Sequence, residues 1–343
     1  MNDFEVIVVG AGVMGSSTAR WLARQGHSVL LLEQFQLGHA RGSSHGATRI
    51  FRLSYPEAGY ISMAQESLEM WMALESESGE KLLTQTGGLD LGPGIEANAA
   101  ALETCGARYK MLDSREAARR FPMVVLRPDE NALFQPDGGV VAADRASAAF
   151  VRLVEAAGGQ VRSRARASAL EPCAEGVKVD VDGDRLSCGR CVVTAGAWAK
   201  DLLADTGITL DVRPTRETIA YFDYAGPIPP TFVEWGEPAA YSLPSPGRGL
   251  KAGHHIAGPT TDPDDEGVVD QSSVRRLSQW VAERCPGADP TPQFSETCIY
   301  TNAPEERFVL ERHGNIVVGS PCSGHGFKFA PLIGKRLADL ATE

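Results

Sequence analysis

Basic residues are in deficit: Lys and Arg total 33 against 44 Asp and Glu, a formal net charge of −11. That balance argues against nucleic acid as a partner. Long apolar runs are also missing. None approaches the ~20 residues a helix needs to cross a bilayer, so no membrane partner is expected. The first strand-like run begins at residue 4, which leaves no room for a signal or transit peptide. Cysteine is odd in number, seven in all, and lacks paired metal-ligand spacings. Cys188 and Cys191 form a single C-x-x-C among strand-like residues, so they read as core thiols rather than a zinc or redox site, and no metal is expected. The cytoplasm, a reducing compartment, suits such a chain. No internal repeat or low-complexity tract appears. What remains, 343 residues at 43% hydrophobic and 22% charged, suffices for two domains.

The most informative stretch is the first. Glu5 to Val9 is a mostly β-branched run that reads as a buried parallel strand. Gly10, Gly12 and Gly15 follow as Gly-x-Gly-x-x-Gly, with Val13 and Met14 between them. In that pattern the first glycine makes the turn, the second admits a pyrophosphate and the third lets helix and strand pack closely. Met14 to Arg24 is helical, stopped by Gly26. A second strand, Val29 to Leu32, ends at Glu33 beside Gln34, where a carboxylate can hold an adenosine ribose. Alone the glycine pattern carries little. Between a strand and a helix, with the acid in register, it predicts a dinucleotide site whose phosphates lie on the helix N-terminus. Glu33 disfavours a 2′-phosphate, but the motif leaves FAD and NAD open.

Further along, Arg41 to Tyr55 reads as a glycine- and hydroxyl-rich loop holding Arg49 and Arg52. Ile61 to Glu77 has helical spacing, with Trp71 and Met72 read as core. Gly87 to Leu91 looks like a short strand, and Asp113 with Glu116 like a capping box. Asp144 caps a helix running to Ala157. Strands follow near Gln160–Arg162 and at Val177–Val181. Leu186 to Thr194 then leads into Ala195-Gly196-Ala-Trp198, small residues suited to a cofactor passing close. From Val212 to Tyr300 short alternating segments predict an antiparallel sheet, with Asp262–Asp270 a solvated acidic loop. Asn315–Gly319, a glycine-broken turn at Ser323–Phe329 and a helix at Ala330–Leu340 return to the cofactor. The expected fold class is α/β (α+β): a Rossmann-like FAD-binding domain with an inserted antiparallel-sheet substrate domain. The expected domains are 1–50, 139–211 and 301–343 for the cofactor, and 51–138 and 212–300 for the substrate.

Five separated pieces together resemble the monomeric sarcosine oxidase and N-methyltryptophan oxidase family, flavoenzymes of the D-amino-acid-oxidase-like fold. They are Gly10–Gly15 with Glu33; Gly42-Ser-Ser-His-Gly-Ala-Thr-Arg-Ile-Phe-Arg52; Gly249-Leu-Lys-Ala-Gly-His-His255; Thr297-Cys-Ile-Tyr-Thr301; and Ser323-Gly-His-Gly-Phe-Lys-Phe329. The resemblance implies FAD, joined through a thioether at Cys298, whose thiol the site should acidify. It implies that Lys251 activates oxygen, that His255 sits beside the substrate amine, and that Arg52 and Lys328 hold the substrate carboxylate. Arg49 and His45 would line the flavin, with Ser43, Ser44, Gly324, His325, Gly326 and Phe327 in the cofactor-binding turns. Tyr300 and Tyr241 would line the substrate pocket. The implied activity is oxidation of N-methyl or other secondary α-amino acids by a monomer, with amino acid and O2 as small-molecule partners and hydrogen peroxide as product.

Three departures from the family pattern stand out. Ala47 replaces the usual aspartate, Pro321-Cys322 stands where an aliphatic or aromatic pair is common, and the chain stops soon after Leu340 where relatives continue into a tail. Fructosyl-amino-acid or pipecolate-type oxidation is the alternative within the same chemistry and needs a roomier pocket. A flavin-binding subunit without catalysis is the alternative of another class, and the set Lys251, His255, Arg52 and Lys328 argues against it.

Overall fold

The computed structural model describes residues 2–343. Three sheets organise the chain. The first has five parallel strands in the order Ile316–Ser320, Asp184–Val193, Phe4–Val9, Val29–Glu33 and Gln160–Ser163. Its central strands are apolar on both faces, because helices cover one side and loops and a hairpin the other. The helix Val13–Arg24 packs on this sheet between Ala143–Ala156 and Ala330–Thr342. Val6, Val8, Leu22, Leu31, Phe150, Val192 and Ile333 form the core beneath them. The strand Ala167–Cys173, which sequence periodicity did not show, pairs antiparallel with Gly176–Val181 and caps one edge.

The second sheet has eight strands: Ala288–Asn302, Arg213–Tyr224, Gly249–His254, Ala240–Ser245, Thr231–Glu234, Gly88–Leu91, Asn131–Gln135 and Lys110–Asp113. Antiparallel pairing holds throughout except between Thr231–Glu234 and Gly88–Leu91, which run parallel. That pair joins two distant stretches of chain, so no hairpin turn dictates its direction. The helix Gln271–Arg284 covers the outer face with Leu277 and Val281, and it too escaped the sequence reading. A small third sheet, Thr48–Phe51, Gly139–Ala142 and Leu83–Thr84, lies between the other two in the chain's path.

Several local expectations are corrected. The stretch Arg41–Tyr55 is not wholly loop, since Thr48–Phe51 pairs with Gly139–Ala142. Met72 is 46% exposed whereas Trp71 is fully buried, because they lie about 100° apart on one helix. Asp144 does not cap its helix: Ala142 holds that position, and Asp144 Oδ1 instead accepts from the Gly46 N–H at 2.7 Å. The acidic loop is not merely solvated. Asp264 Oδ1 accepts from Trp198 Nε1 at 2.7 Å, and its carbonyl accepts from Arg41 at 2.8 Å. Asp113 does accept from the Glu116 N–H at 2.7 Å, but the Glu116 carboxylate binds Lys110 rather than the Asp113 N–H, so only half of the capping box forms. Among the described residues no helix is long and apolar enough to cross a membrane.

Candidate active site

One cavity of ≈ 1190 Å³ runs from the first glycine turn to the large sheet. Its dinucleotide end is built by local backbone demands. Gly10 has φ +99°, and a Cβ there would lie 2.6 Å from the Thr194 carbonyl oxygen. At Gly15 a Cβ would sit 1.9 Å from the Gly10 oxygen, so neither position tolerates a side chain. The Val13 N–H donates to Ser44 Oγ at 3.0 Å, and Val13 and Met14 begin the helix at the cavity wall, with Gly15 buried behind them. Glu33 is buried with Oε2 on the Ala11 N–H at 3.0 Å and Oε1 on the Phe35 N–H at 2.9 Å. Gln34, Ser43, Ala195, Gly196 and Trp198 also line this end. His39 and Arg166, which carry no motif, join them.

Pleat alternation explains the other end. Lys251 pairs with Tyr221 and Leu243, Gly253 with Tyr241 and Ile219, and Glu217 with Cys298. Residues opposite one another share a face, so Lys251, Tyr241, Cys298 and Tyr300 all point to the same side of the sheet. That side forms the cavity wall. Lys251 is 3% exposed, with Nζ 3.4 Å from the Thr48 carbonyl. Burial, reinforced by the nearby Arg49 charge, pulls its ammonium down to about 7. Arg49 is tied to the carbonyls of Thr48, Ser43 and His45 at 3.0, 2.9 and 2.5 Å. His45 is held neutral, its pKa lowered to about 4 by burial and then by Arg49, and its Nε2 has no partner among the described residues.

Cys298 is buried in this wall. The expectation of an acidified thiol is not met. Burial pushes its pKa up to about 11, although Arg49 and Lys251 pull the other way.

Two cations reach the far end from opposite ends of the chain. Arg52 lies 3.9 Å from the Tyr55 ring centroid and 5.0 Å from that of Trp235, and donates to the Ser54 carbonyl. Lys328 Nζ donates to the Tyr55 hydroxyl at 2.9 Å and to the His325 carbonyl. Burial, then Arg52, drives the Lys328 ammonium far below its ordinary value. His255 and Tyr300 stand alongside with ring centroids 5.9 Å apart, packed on Gly324. At Gly324, φ is +73° and a Cβ would meet the Tyr300 ring at 2.3 Å. Gly326 and Phe327 complete the turn. Every site residue drawn from the sequence lines this one cavity except Gly15, which is buried where the first helix packs against the glycine turn. Trp235, Asp144, Thr48 and Tyr55 were missed, since each sits in a segment whose pattern signals only strand, helix or loop.

The residues present fit FAD. The glycine cradle excludes side chains where a pyrophosphate would lie, Glu33 supplies a buried carboxylate at ribose distance along the chain, and the cavity slightly exceeds the 300–1,000 Å³ common for small ligands. Strand, glycine turn, helix and acid around one long cleft define a dinucleotide-dependent oxidoreductase. The chain belongs to the FAD dependent oxidoreductase family, whose profile matches residues 5–340. It is 36% identical over 370 residues to a probable sarcosine oxidase of Arabidopsis thaliana, spanning 99% of this chain and 88% of that protein. It is 34% identical over 364 residues to the monomeric sarcosine oxidase of Bacillus sp. (strain B-0618), spanning 99% and 92%. Among solved structures, NikD, an unusual amino acid oxidase essential for nikkomycin biosynthesis, superposes with a TM-score of 0.91 at 31% identity, covering 100% of this chain and 95% of that one. The L-proline dehydrogenase from P. horikoshii shares the fold, with a TM-score of 0.89 at 20% identity over 99% and 94% of the two chains.

Proposed function

We propose that the protein is an FAD-dependent oxidase of N-methyl or other secondary α-amino acids, of the sarcosine oxidase kind, working as a cytoplasmic monomer. The observation that carries this reading is the pairing of Arg52 and Lys328 at one end of a cavity that has Lys251 and Cys298 in its wall. Relatives named sarcosine oxidase along almost the full length support it, as do seven free thiols, which suit a reducing compartment. Residues 1–50, 139–211 and 301–343 would hold the cofactor, and 51–138 with 212–300 the substrate.

The residues divide the work by charge and geometry. Arg52 offers paired N–H donors, and Lys328 an amine whose positive charge an arriving carboxylate would favour, so together they anchor the substrate carboxylate. That anchor sets the α-carbon and its amine against His255, Tyr300 and Tyr241. Bound FAD would take the two electrons of C–N oxidation and hand them to O2, giving an imine that hydrolyses and hydrogen peroxide. Lys251 places a buried amine in the wall, partly protonated near neutral pH, and its ammonium form would stabilise developing oxygen anion there. Cys298 would carry the covalent link, and since its thiol is raised to about 11, Lys251 and Arg49 would have to stabilise the thiolate as it forms.

Anaerobic addition of N-methyl amino acids to the yellow enzyme tests the function: flavin absorbance should bleach with a secondary α-amino acid and not with its decarboxylated amine. Equal bleaching by both would replace this reading with an amine oxidase. Acid precipitation tests the link, with colour staying in the wild-type pellet and moving to the supernatant in Cys298→Ser.

A further inference from the structure

Beside the substrate end lies a residue that no motif singled out. Glu306 closes the turn Pro304–Glu306, just after the strand Ala288–Asn302 that carries Cys298 and Tyr300. Its side chain and its backbone each engage a histidine. Glu306 Oε2 lies 3.1 Å from His255 Nε2, and the Glu306 carbonyl lies 3.0 Å from His325 Nε2. His325 Nδ1 lies 3.2 Å from the Tyr55 hydroxyl, which in turn accepts from Lys328 Nζ at 2.9 Å. One residue is thereby connected to the group expected at the amine and to the group expected at the carboxylate.

The backbone there is strained. Glu305 and Glu306 have φ of 56° and 55°, the left-handed region that residues other than glycine rarely adopt. Such conformations persist where surrounding contacts over-determine them. Glu306 is about half exposed; partial desolvation works against its carboxylate, but the hydrogen bond from His255, the charge that ring gains when it takes a proton, and Arg52 beyond hold it below the usual range, so it is ionised at neutral pH.

Donor and acceptor counting fixes the protons. A carboxylate only accepts, so His255 Nε2 carries the hydrogen and, in the neutral ring, Nδ1 keeps its lone pair. Among the described residues Nδ1 of His255 has no hydrogen-bond partner, and the ring lines the cavity. A carbonyl likewise only accepts, so His325 carries its hydrogen on Nε2 and accepts the Tyr55 O–H at Nδ1. The Tyr55 oxygen is then free to accept from Lys328. Every group in the series has one consistent assignment.

We propose that Glu306 is a positioning residue that presents His255 Nδ1 as the base for the substrate's secondary ammonium and, through His325 and Tyr55, fixes Lys328 for the carboxylate. The proposal rests on the secondary amino acid reading. A secondary ammonium has no lone pair to drive loss of the α-hydrogen, so one N–H proton must leave first. That N–H bond breaks, an Nδ1–H bond forms, and the electron pair stays on the substrate nitrogen. The positive charge passes to the imidazole, where the Glu306 carboxylate faces it, and nothing is oxidised in this step.

Glu306→Gln keeps size and removes the charge, and its amide can turn an N–H toward Nε2 and impose the opposite tautomer. Two measurements on the flavin-loaded protein test the role. Long-range proton–nitrogen NMR with 15N-labelled histidine should show His255 protonated at Nε2 in the wild type and shifted toward Nδ1 in Glu306→Gln. Anaerobic stopped-flow should show flavin reduction slowed about ten- to hundredfold in the variant, with reoxidation by O2 unchanged, because the carboxylate acts on the amine side only. An unchanged tautomer together with an unchanged reduction rate would overturn the proposal. If the wild type has the Nε2–H form but no secondary amino acid reduces it, the functional reading fails and the His255 tautomer assignment stands.

Discussion

A single buried lysine shows how the site sets a charge. Without the family resemblance Lys251, following a Pro-Gly-Arg-Gly turn, would read as a surface residue, yet register places it inside the cavity wall. Replacing it with Met keeps length and removes the charge, and reoxidation by O2 should slow by orders of magnitude in stopped-flow. The same burial has a signature in the cofactor-free protein. Its folded pKa of about 7 lies below the ~10.4 of an unfolded lysine, so between these values the unfolded chain binds more protons. Stability contributed by this site therefore rises with pH across that window, by at most about 1.4 kcal/mol per unit. Urea midpoints should show the wild type gaining on Lys251→Met between about pH 7 and about pH 9, a window that follows from the shift. Arg52 and Lys328 test the carboxylate anchor. Truncating one member of a desolvated charge pair costs roughly 2–5 kcal/mol, so either alanine variant should lose about 30-fold to several thousandfold in kcat/KM. A substrate analogue without the carboxylate should lose far less, and equal losses would remove the anchor from the argument.

At the scale of elements, the first strand, glycine turn, helix and second strand were legible because their signals are local: a β-branched run, glycines at fixed offsets and an acid after the second strand. The last helix was legible as well, at Ala330–Thr342 against an expected Ala330–Leu340. The helix Gln271–Arg284 was not, since its first turn is Ser-rich and its apolar face is only Val274, Leu277 and Val281 with Trp280 beside them. Nor was the parallel pairing of Thr231–Glu234 with Gly88–Leu91, which depends on strands far apart in the chain. The dinucleotide end of the candidate site was legible through glycines at fixed offsets, whereas Lys251, His255, Cys298, Arg52 and Lys328 came only through the family resemblance. Glu306 was invisible because its role comes from a turn that folds back on two histidines from other elements. One helix contact has a sharp test. A Cβ on Gly334 would lie 2.7 Å from the Ser17 backbone carbon, so the first and last helices touch through that glycine. Gly334→Ala should force them apart and cost about 1–3 kcal/mol of stability, read by denaturant midpoint. A neutral result would mean the two helices separate freely.

The whole molecule is held by groups that join remote stretches. Arg284, 2% exposed, contacts Glu130 through NH1 at 2.7 Å and Glu234 through Nε at 2.9 Å. It ties the helix Gln271–Arg284 to the strand Thr231–Glu234 and to the loop before Asn131–Gln135. Removing the cation strands two half-buried carboxylates. Arg284→Met should therefore lower stability by about 3–5 kcal/mol while leaving the flavin spectrum unchanged, as measured by thermal unfolding of the loaded protein. The cavity is assembled the same way, with Gly10 at one end of the chain and Lys328 at the other lining a single space. Protein synthesis runs from one end to the other at about 5–20 residues per second. A ribosome that has made the first glycine turn has made only one wall of the cleft, and the opposite wall emerges last. A growing chain of this protein must therefore remain an open vessel until Lys328 has been made. Flavin can be captured fully only by a chain whose residues through Lys328 have emerged from the ribosome.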